Sequence, residues 1–198
     1  QVAAGLTWTR FGVSGATSTL TFGRVIKQDT NANFTLSSGL DDAQSDWLLS
    51  GQVSTPDGFL FDARSLWADD GRLTIADSRV AWRNNKIRLG ANYQWQSPDD
   101  AEGRSERISE WTLDGAFDIT KSWTLAVDGR YDLAADRPVR AGLGLEWRNE
   151  CVSIDVSVSR RYTSSSTVEP TTTFGLSGSI GGFSTGRAAG GIATGCGN

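Results

Sequence analysis

The chain has 198 residues with 19 basic and 23 acidic side chains, a formal charge of −4. That balance leaves no basic footprint for nucleic acid, and the absence of histidine removes the commonest general base and the commonest zinc ligand. Two cysteines are too few for a metal cluster or a disulfide-dense module, and no window approaches the roughly 18 consecutive apolar residues of a transmembrane helix. Methionine is absent and the sequence opens at Gln1, which predicts a processed chain or a fragment of a longer one. Apolar residues are only 38 %, yet there are 8 Trp, 8 Phe and 23 Gly, which points to β structure with one polar face per strand.

In chain order, segments 3–11, 17–27, 45–54, 57–67 and 72–83 alternate imperfectly between apolar and polar residues. The alternation is strict from Lys86 to Trp95, where Ile87, Leu89, Ala91, Tyr93 and Trp95 oppose Arg88, Gly90, Asn92 and Gln94. A period of two over such a length is a strand with one apolar and one polar face. Segment 107–118 follows, and the strict pattern returns at Trp123, Leu125, Val127, Gly129, Tyr131 and at Val139, Ala141, Leu143, Leu145, Trp147. Val152, Ile154, Val156 and Val158 oppose Ser153, Asp155, Ser157 and Ser159, and 171–183 closes the series. About 11 strands of roughly 9–12 residues result, the length at which a tilted strand crosses a bilayer.

Short connections fall near Val13–Ala16, Ser54–Asp57, Asn84–Asn85, Ile119–Lys121 and Asn149–Glu150. Longer polar ones fall at Gln28–Gln44, Gln96–Glu106, Asp132–Arg137 and Thr163–Glu169, with Ala68–Gly71 the short exception on that side. Short turns at one end and long loops at the other are the layout of an outer-membrane barrel, with turns periplasmic and loops extracellular. Tryptophan placement agrees: Trp47, Trp67 and Trp95 fall at the long-loop end with Trp111 just inside it, and Trp82, Trp123 and Trp147 at the short-turn end with Trp8 near it. Two aromatic girdles are expected of a barrel in lipid, whereas a soluble sandwich has no reason to place Trp at both strand ends.

The opposite face carries both signs interleaved: Asp46, Asp62, Arg64, Asp77, Arg79, Arg88, Glu110, Asp114, Asp128, Arg130, Arg140, Glu146, Arg148, Asp155 and Arg161. A wet lumen and a solvated sheet face would look alike in this respect. Bacterial single-chain barrels close with an even strand number, because an open edge in lipid leaves backbone groups unpaired, so about 11 strands read as part of a larger barrel. Residues 1–183 form that barrel part, and 184–198, rich in Gly and Ala, read as a flexible tail. Arg24 and Arg160 break the pattern by falling on the apolar face near the long-loop end. They are either snorkelling cations or contacts for lipid phosphates. The acidic pairs Asp41-Asp42, Asp69-Asp70 and Asp99-Asp100 read as solvated turn residues in preference to a divalent-cation site.

The run from Ala141 to Cys151 (AGLGLEWRNEC), continuing through Val152–Tyr162 (VSIDVSVSRRY) and on to Thr173–Phe183 (TFGLSGSIGGF), resembles the C-terminal end of the LPS-assembly outer-membrane protein family LptD, in its alphaproteobacterial form. Glu110–Phe117, Asp128–Asp132 and Ala76–Arg83 are similar to that family as well, and the likeness fades before residue 45. The resemblance implies a large barrel of the Gram-negative outer membrane that inserts lipopolysaccharide into the outer leaflet through a seam between its first and last strands. It implies as partners the lipopolysaccharide itself, a lipoprotein plug, LptE, and a periplasmic bridge reached through an N-terminal domain with no counterpart here. One side of the seam would be 171–183, with Thr173, Phe174, Gly175, Leu176, Ser177, Gly178 and Ile180 as the gate strand and Phe183 as its terminal aromatic. Phe183 falls out of phase with Phe174, Leu176 and Ile180, which a bulge at Gly181-Gly182 would correct.

The resemblance also implies a maturation disulfide at Cys151. Either Cys151 pairs with Cys196 in the tail, the preferred reading, or it pairs outside this sequence and Cys196 is a free thiol. No catalytic residue, cofactor or metal is expected, since the Ser–His and Asp–His arrangements of membrane-barrel enzymes cannot be built without histidine. The competing functional class is a generic porin or structural barrel. Its constriction loop would have to be Gln28–Gln44, which carries acids but no cluster of bases.

Overall fold

In a computed structural model, residues 1–28, 34–163, 169–180 and 183–184 are described, the last two by backbone alone. They form one antiparallel sheet in which each strand pairs with its neighbours in sequence. The order is β1 (Val2–Phe11), β2 (Thr17–Ile26), β3 (Trp47–Ser54), β4 (Phe59–Trp67), β5 (Leu73–Arg83), β6 (Ile87–Gln96), β7 (Ile108–Asp118), β8 (Trp123–Asp132), β9 (Arg137–Arg148), β10 (Val152–Arg161) and β11 (Thr171–Ile180), with a two-residue β12 (Phe183–Ser184). Eleven long strands match the alternation read from the sequence. Beyond them, the regular elements among the described residues are two 3-10 turns, Leu36–Ser38 and Asp100–Glu102. The sheet is open: among the described residues, β1 pairs only with β2.

Directly opposed residues of paired antiparallel strands share a face, so the register decides whether eleven separate alternations add up to one surface. They do. One row runs Phe59, Trp82, Leu89, Gly115, Val127, Leu143, Val158, Phe174 from β4 to β11. A soluble sheet would cover such a face with a second layer. Here no large apolar side chain is buried among the described residues, and Leu113, Val127 and Val156 on the apolar face stand about half exposed.

The last element corrects an expectation. The sequence carries strand 171–183 through a bulge at Gly181-Gly182, which lie outside the described residues; β11 itself ends at Ile180. Phe183 sits opposite Ile180, and Ser184 opposite Ser179. Phe183 therefore opens β12, and is not the terminal residue of the gate strand. Two real bulges lie elsewhere, near Leu66/Trp67, where Thr74 is the extra residue, and near Arg130/Tyr131, where Val139 is.

The short-turn end is built from repeated local chemistry. Asn84 Oδ1 accepts from the Lys86 and Ile87 amides at 2.8 Å each, and Asn149 Oδ1 from Cys151 and Val152 at 2.9 and 2.7 Å. Thr120 Oγ1 does the same for Ser122 and Trp123 at 3.2 and 3.1 Å. Side-chain oxygens that mimic a backbone turn in this way fix a tight hairpin. At Gly58, φ is +83° and a Cβ would collide with the Arg83 carbonyl, so only glycine fits that turn.

Candidate functional site

The candidate site has three parts: the apolar face with its aromatic ends, the polar face behind it, and the edge at β11. All eight tryptophans lie on the apolar face. Trp47 faces Trp67 and Trp123 faces Trp147 directly across strand pairs, and Trp82 faces Phe59. Trp95 closes the loop end of β6, and Trp111 lies between Tyr93 and Tyr131, its ring 5.2 Å from that of Tyr93. The expected girdle residues therefore fall in two bands at opposite strand ends.

The polar face is charged only over its middle. From β1 to β3 it is lined by Thr7, Thr9, Thr19, Thr21, Ser50 and Gln52, with Thr7–Thr21 and Thr9–Thr19 hydroxyl pairs at 3.1 and 3.3 Å. On β4–β10 the charges pair across strands: Arg64–Asp77 at 2.8 Å, Arg88–Asp118 at 3.2 Å, Arg140–Asp128 at 3.3 Å, and Arg130 with Glu110. Two acids oppose each other directly, Asp114 and Asp128, an unfavourable pairing in itself. Each leans over a cross-strand glycine: a Cβ at Gly90 would stand 2.6 Å from Asp114 Oδ1, and one at Gly142 would clash with the Asp128 carboxylate. The glycines give the acids room to reach past their own strand pair.

The loop end is tied together by acidic residues that the sequence left as solvated. Asp99 is 6 % exposed; its Oδ2 accepts from the Ser37 amide at 2.8 Å and its Oδ1 from Ala101 at 3.0 Å. The Ser37 amide and hydroxyl, with Thr35 and Ala101, lower its carboxyl from the ordinary 3.8 to about 2. Glu102 accepts from the Thr35 hydroxyl at 2.5 Å, which with Arg104 lowers its carboxyl too. The Leu36–Ser38 turn thus docks against loop 97–107. Gly39 beside it abuts Asp46 and Leu66 on the polar face, and the bulged Thr74, nearly buried, donates to Asp46. None of this left a signal in the sequence, because Ser37 and Asp99 are 62 residues apart with no periodic relation.

Arg24 lies on the apolar face as expected, yet its guanidinium is largely occupied. It binds both oxygens of Asp69 at 3.0 and 3.2 Å and the Ser45 carbonyl at 2.8 and 3.1 Å, and lies 4.6 Å over the Trp47 ring. Trp47 Nε1 also donates to Asp69 at 3.0 Å, and Phe22 stacks on Trp47 at 4.8 Å. Arg24 is a clamp joining β2, β3 and the loop 68–72, and these bonds hold the Asp69 carboxyl below its usual range. Asp70 is lowered in the same way by Arg72, 2.6 Å away. Arg160 is different: it is exposed on the apolar face, 5.4 Å over the Tyr162 ring.

Of the gate-strand residues, Thr173, Phe174, Gly175, Leu176, Ser177, Gly178 and Ile180 all lie on β11 and pair with β10. Strand pairing on its other edge is limited to Ser179 and Ile180 among the described residues. Phe174 and Leu176 are 79 % and 78 % exposed, far more than their counterparts inside the sheet. Cys151 sits in the tight turn before β10, at the short-turn end; Cys196 and the rest of 185–198 lie outside the described residues.

A family model described as "LptD: LPS transport system D" matches residues 1–123. The chain belongs to the LptD family. The match covers more than half of the sequence; it takes in the segment before residue 45, where the resemblance fades, and stops short of 141–183, where it is strongest. A relative, the LPS-assembly protein LptD of Sodalis glossinidius (strain morsitans), is 26 % identical over 127 residues, 59 % of this chain. The chain spans only 16 % of that relative's length.

Proposed function

We propose that this sheet is part of the wall of a transmembrane β-barrel in the Gram-negative outer membrane, and that the barrel delivers lipopolysaccharide to the outer leaflet through a lateral seam at β11. The observation that carries the reading is the continuous, predominantly apolar face, with tryptophan at both rims and no buried large apolar side chain among the described residues, on a chain of the LptD family. Only lipid is an adequate partner for such a face, and a barrel wall satisfies its backbone groups there. The mixed charges of the other face belong to a wet lumen. The two sheet edges call for further strands: β1, exposed along its whole length, on one side, and β11 on the other. A porin is the weaker reading, because the family supports transport and loop 28–44 lacks a cluster of bases.

On this reading the work is mechanical and electrostatic. The strands hold a closed wall, β11 supplies a weakly packed edge through Gly175 and Gly178, and the polar face lets a hydrated headgroup pass. Arg160 is placed to meet outer-leaflet phosphates at the loop end, and Arg24, held by Asp69, is mainly structural. LptE in the lumen and the periplasmic bridge are the partners this assignment brings with it. No enzymatic step is proposed. Cross-linking β11 to the barrel's first strand in the full-length protein should stop lipopolysaccharide reaching the cell surface. Undiminished surface lipopolysaccharide after complete cross-linking would exclude the seam.

The turns are then periplasmic, which places Cys151 in an oxidising compartment. We assign it a disulfide with Cys196. Non-reducing peptide mapping should recover the two segments linked, and two alkylatable thiols would refute it.

A further inference from the structure

The register aligns three arginines that the alternation alone leaves unrelated. Arg130 on β8 opposes Arg140 on β9, and Arg140 opposes Arg161 on β10, all on the polar face. Neighbouring strands are about 4.8 Å apart, so the three arginine Cα atoms share one row about 10 Å wide. Like charges directly opposed are destabilising, so the row needs compensation. Glu110 supplies it to Arg130 and Asp128, at 3.3 Å, to Arg140. Arg161 is exposed and has no ion-pair partner among the described residues. Its neighbours in the row and beside it are hydroxyls: Thr171 opposite, with Ser159 and Thr173 one pleat further along the pair. The nearby carboxylates Asp132 and Glu169 form no ion pair with it among the described residues. Excess positive charge therefore accumulates at the end of the row that adjoins β11. Arg160, the preceding residue, points to the opposite face and opposes Thr172.

We infer that Arg161, backed by Arg140 and Arg130, is the polar-face contact for the phosphate groups of the glycolipid headgroup, set beside β11 so that Arg160 receives them on the apolar face as the lipid passes the edge. The planar guanidinium fork suits phosphate oxygens, and the hydroxyl neighbours add donors. The inference rests on the proposed transport function and adds to it the residues that hand the headgroup from one face to the other.

The test uses the full-length protein in cells, with a photo-cross-linking amino acid placed in turn at Thr171, Thr172 and, as a distant polar-face control, Thr19. Adducts carrying lipopolysaccharide are expected at Thr171 and Thr172. Arg161→Gln should lower the Thr171 adduct by on the order of tenfold, the loss expected for a charge-assisted hydrogen bond. Arg161→Lys should restore part of it, and Arg64→Gln, far along the sheet, should leave it intact. Barrel assembly is checked for each variant by its heat-modifiable mobility. An undiminished Thr171 adduct in assembled Arg161→Gln and Arg140→Gln/Arg161→Gln proteins would overturn the inference while leaving transport standing. Absence of lipopolysaccharide adducts at every position would overturn the transport reading with it. A protein adduct at Thr171 that depends on Arg161 would mean that the row binds an acidic polypeptide, and would equally overturn the inference.

Discussion

The two faces of this sheet obey different rules, and so do the middle and the margins of the polar face. The apolar face is mostly aliphatic between two aromatic rims from β1 to β11, with its charges, Arg10, Arg24 and Arg160, near the strand ends. The polar face is uncharged on β1–β3 and β11 and carries its charges on β4–β10. On the proposed reading one requirement, contact with hydrocarbon, governs the whole apolar face and is met by one solution. A wet surface has no single requirement, so its chemistry changes with what each part must touch. Hydroxyl pairs such as Thr7–Thr21 leave the β1–β3 region neutral, whereas the middle strands hold ion pairs and the arginine row.

The sharpest way to break the comparison is to exchange the rules of the two faces. Leu113→Arg, at mid-strand on the apolar face, should destabilise the assembled barrel by about 2–4 kcal/mol, the cost of a base near the bilayer midplane. Thr19→Arg on the polar face should assemble nearly as well as the parent. Urea titration of heat-modifiable mobility measures both, and equal losses would remove the distinction.

A second contrast is between the two strand ends. The turn end relies on local devices such as Asn84 and Asn149, and the loop end on tethers between distant residues. Arg24→Ala should free Asp69 and Trp47 together and raise amide exchange across 43–47 and 68–72 by about tenfold, as expected for lost charged hydrogen bonds. Asp99→Ala should release the Leu36–Ser38 turn and expose it to protease without disturbing the hairpins. Because folding lowers the Asp99 carboxyl from 3.8 to about 2, its contribution is complete above pH 3.8. It fades as the pH falls below that and is gone once it has passed through about 2. Ser37 amide protection should follow that course, and protection already lost by pH 5 would contradict it.

The smallest expected effect is at the rims. Trp123 and Trp147 face each other, and a double-mutant cycle to alanine should give a coupling of about 0.2–1 kcal/mol. No coupling would mean that each ring meets only lipid.

The strands were legible because period-two alternation is a local property, and every tryptophan fell on the face assigned to it. The pairing of Phe183 back on Ile180 was not, since alternation does not encode which strand a residue pairs with. Nor was the tether from Ser37 to Asp99, or the role of Arg24, which reads as an anomaly until Asp69 is brought beside it. The arginine row lies between these cases. Arg130, Arg140 and Arg161 each read as polar-face residues, but their common level depends on strand register, which alternation does not encode.

The central claim is that lipid meets one face of the sheet and water the other. A nitroxide scanned through residues 123–132 of β8, in the full-length protein in outer-membrane vesicles, tests it most directly. Oxygen accessibility should peak at positions 123, 125, 127, 129 and 131, and accessibility to a water-soluble nickel chelate at 124, 126, 128 and 130, the two out of phase with period two. Nickel access at every position, or two profiles that rise and fall together, would show that the apolar face does not meet a bilayer.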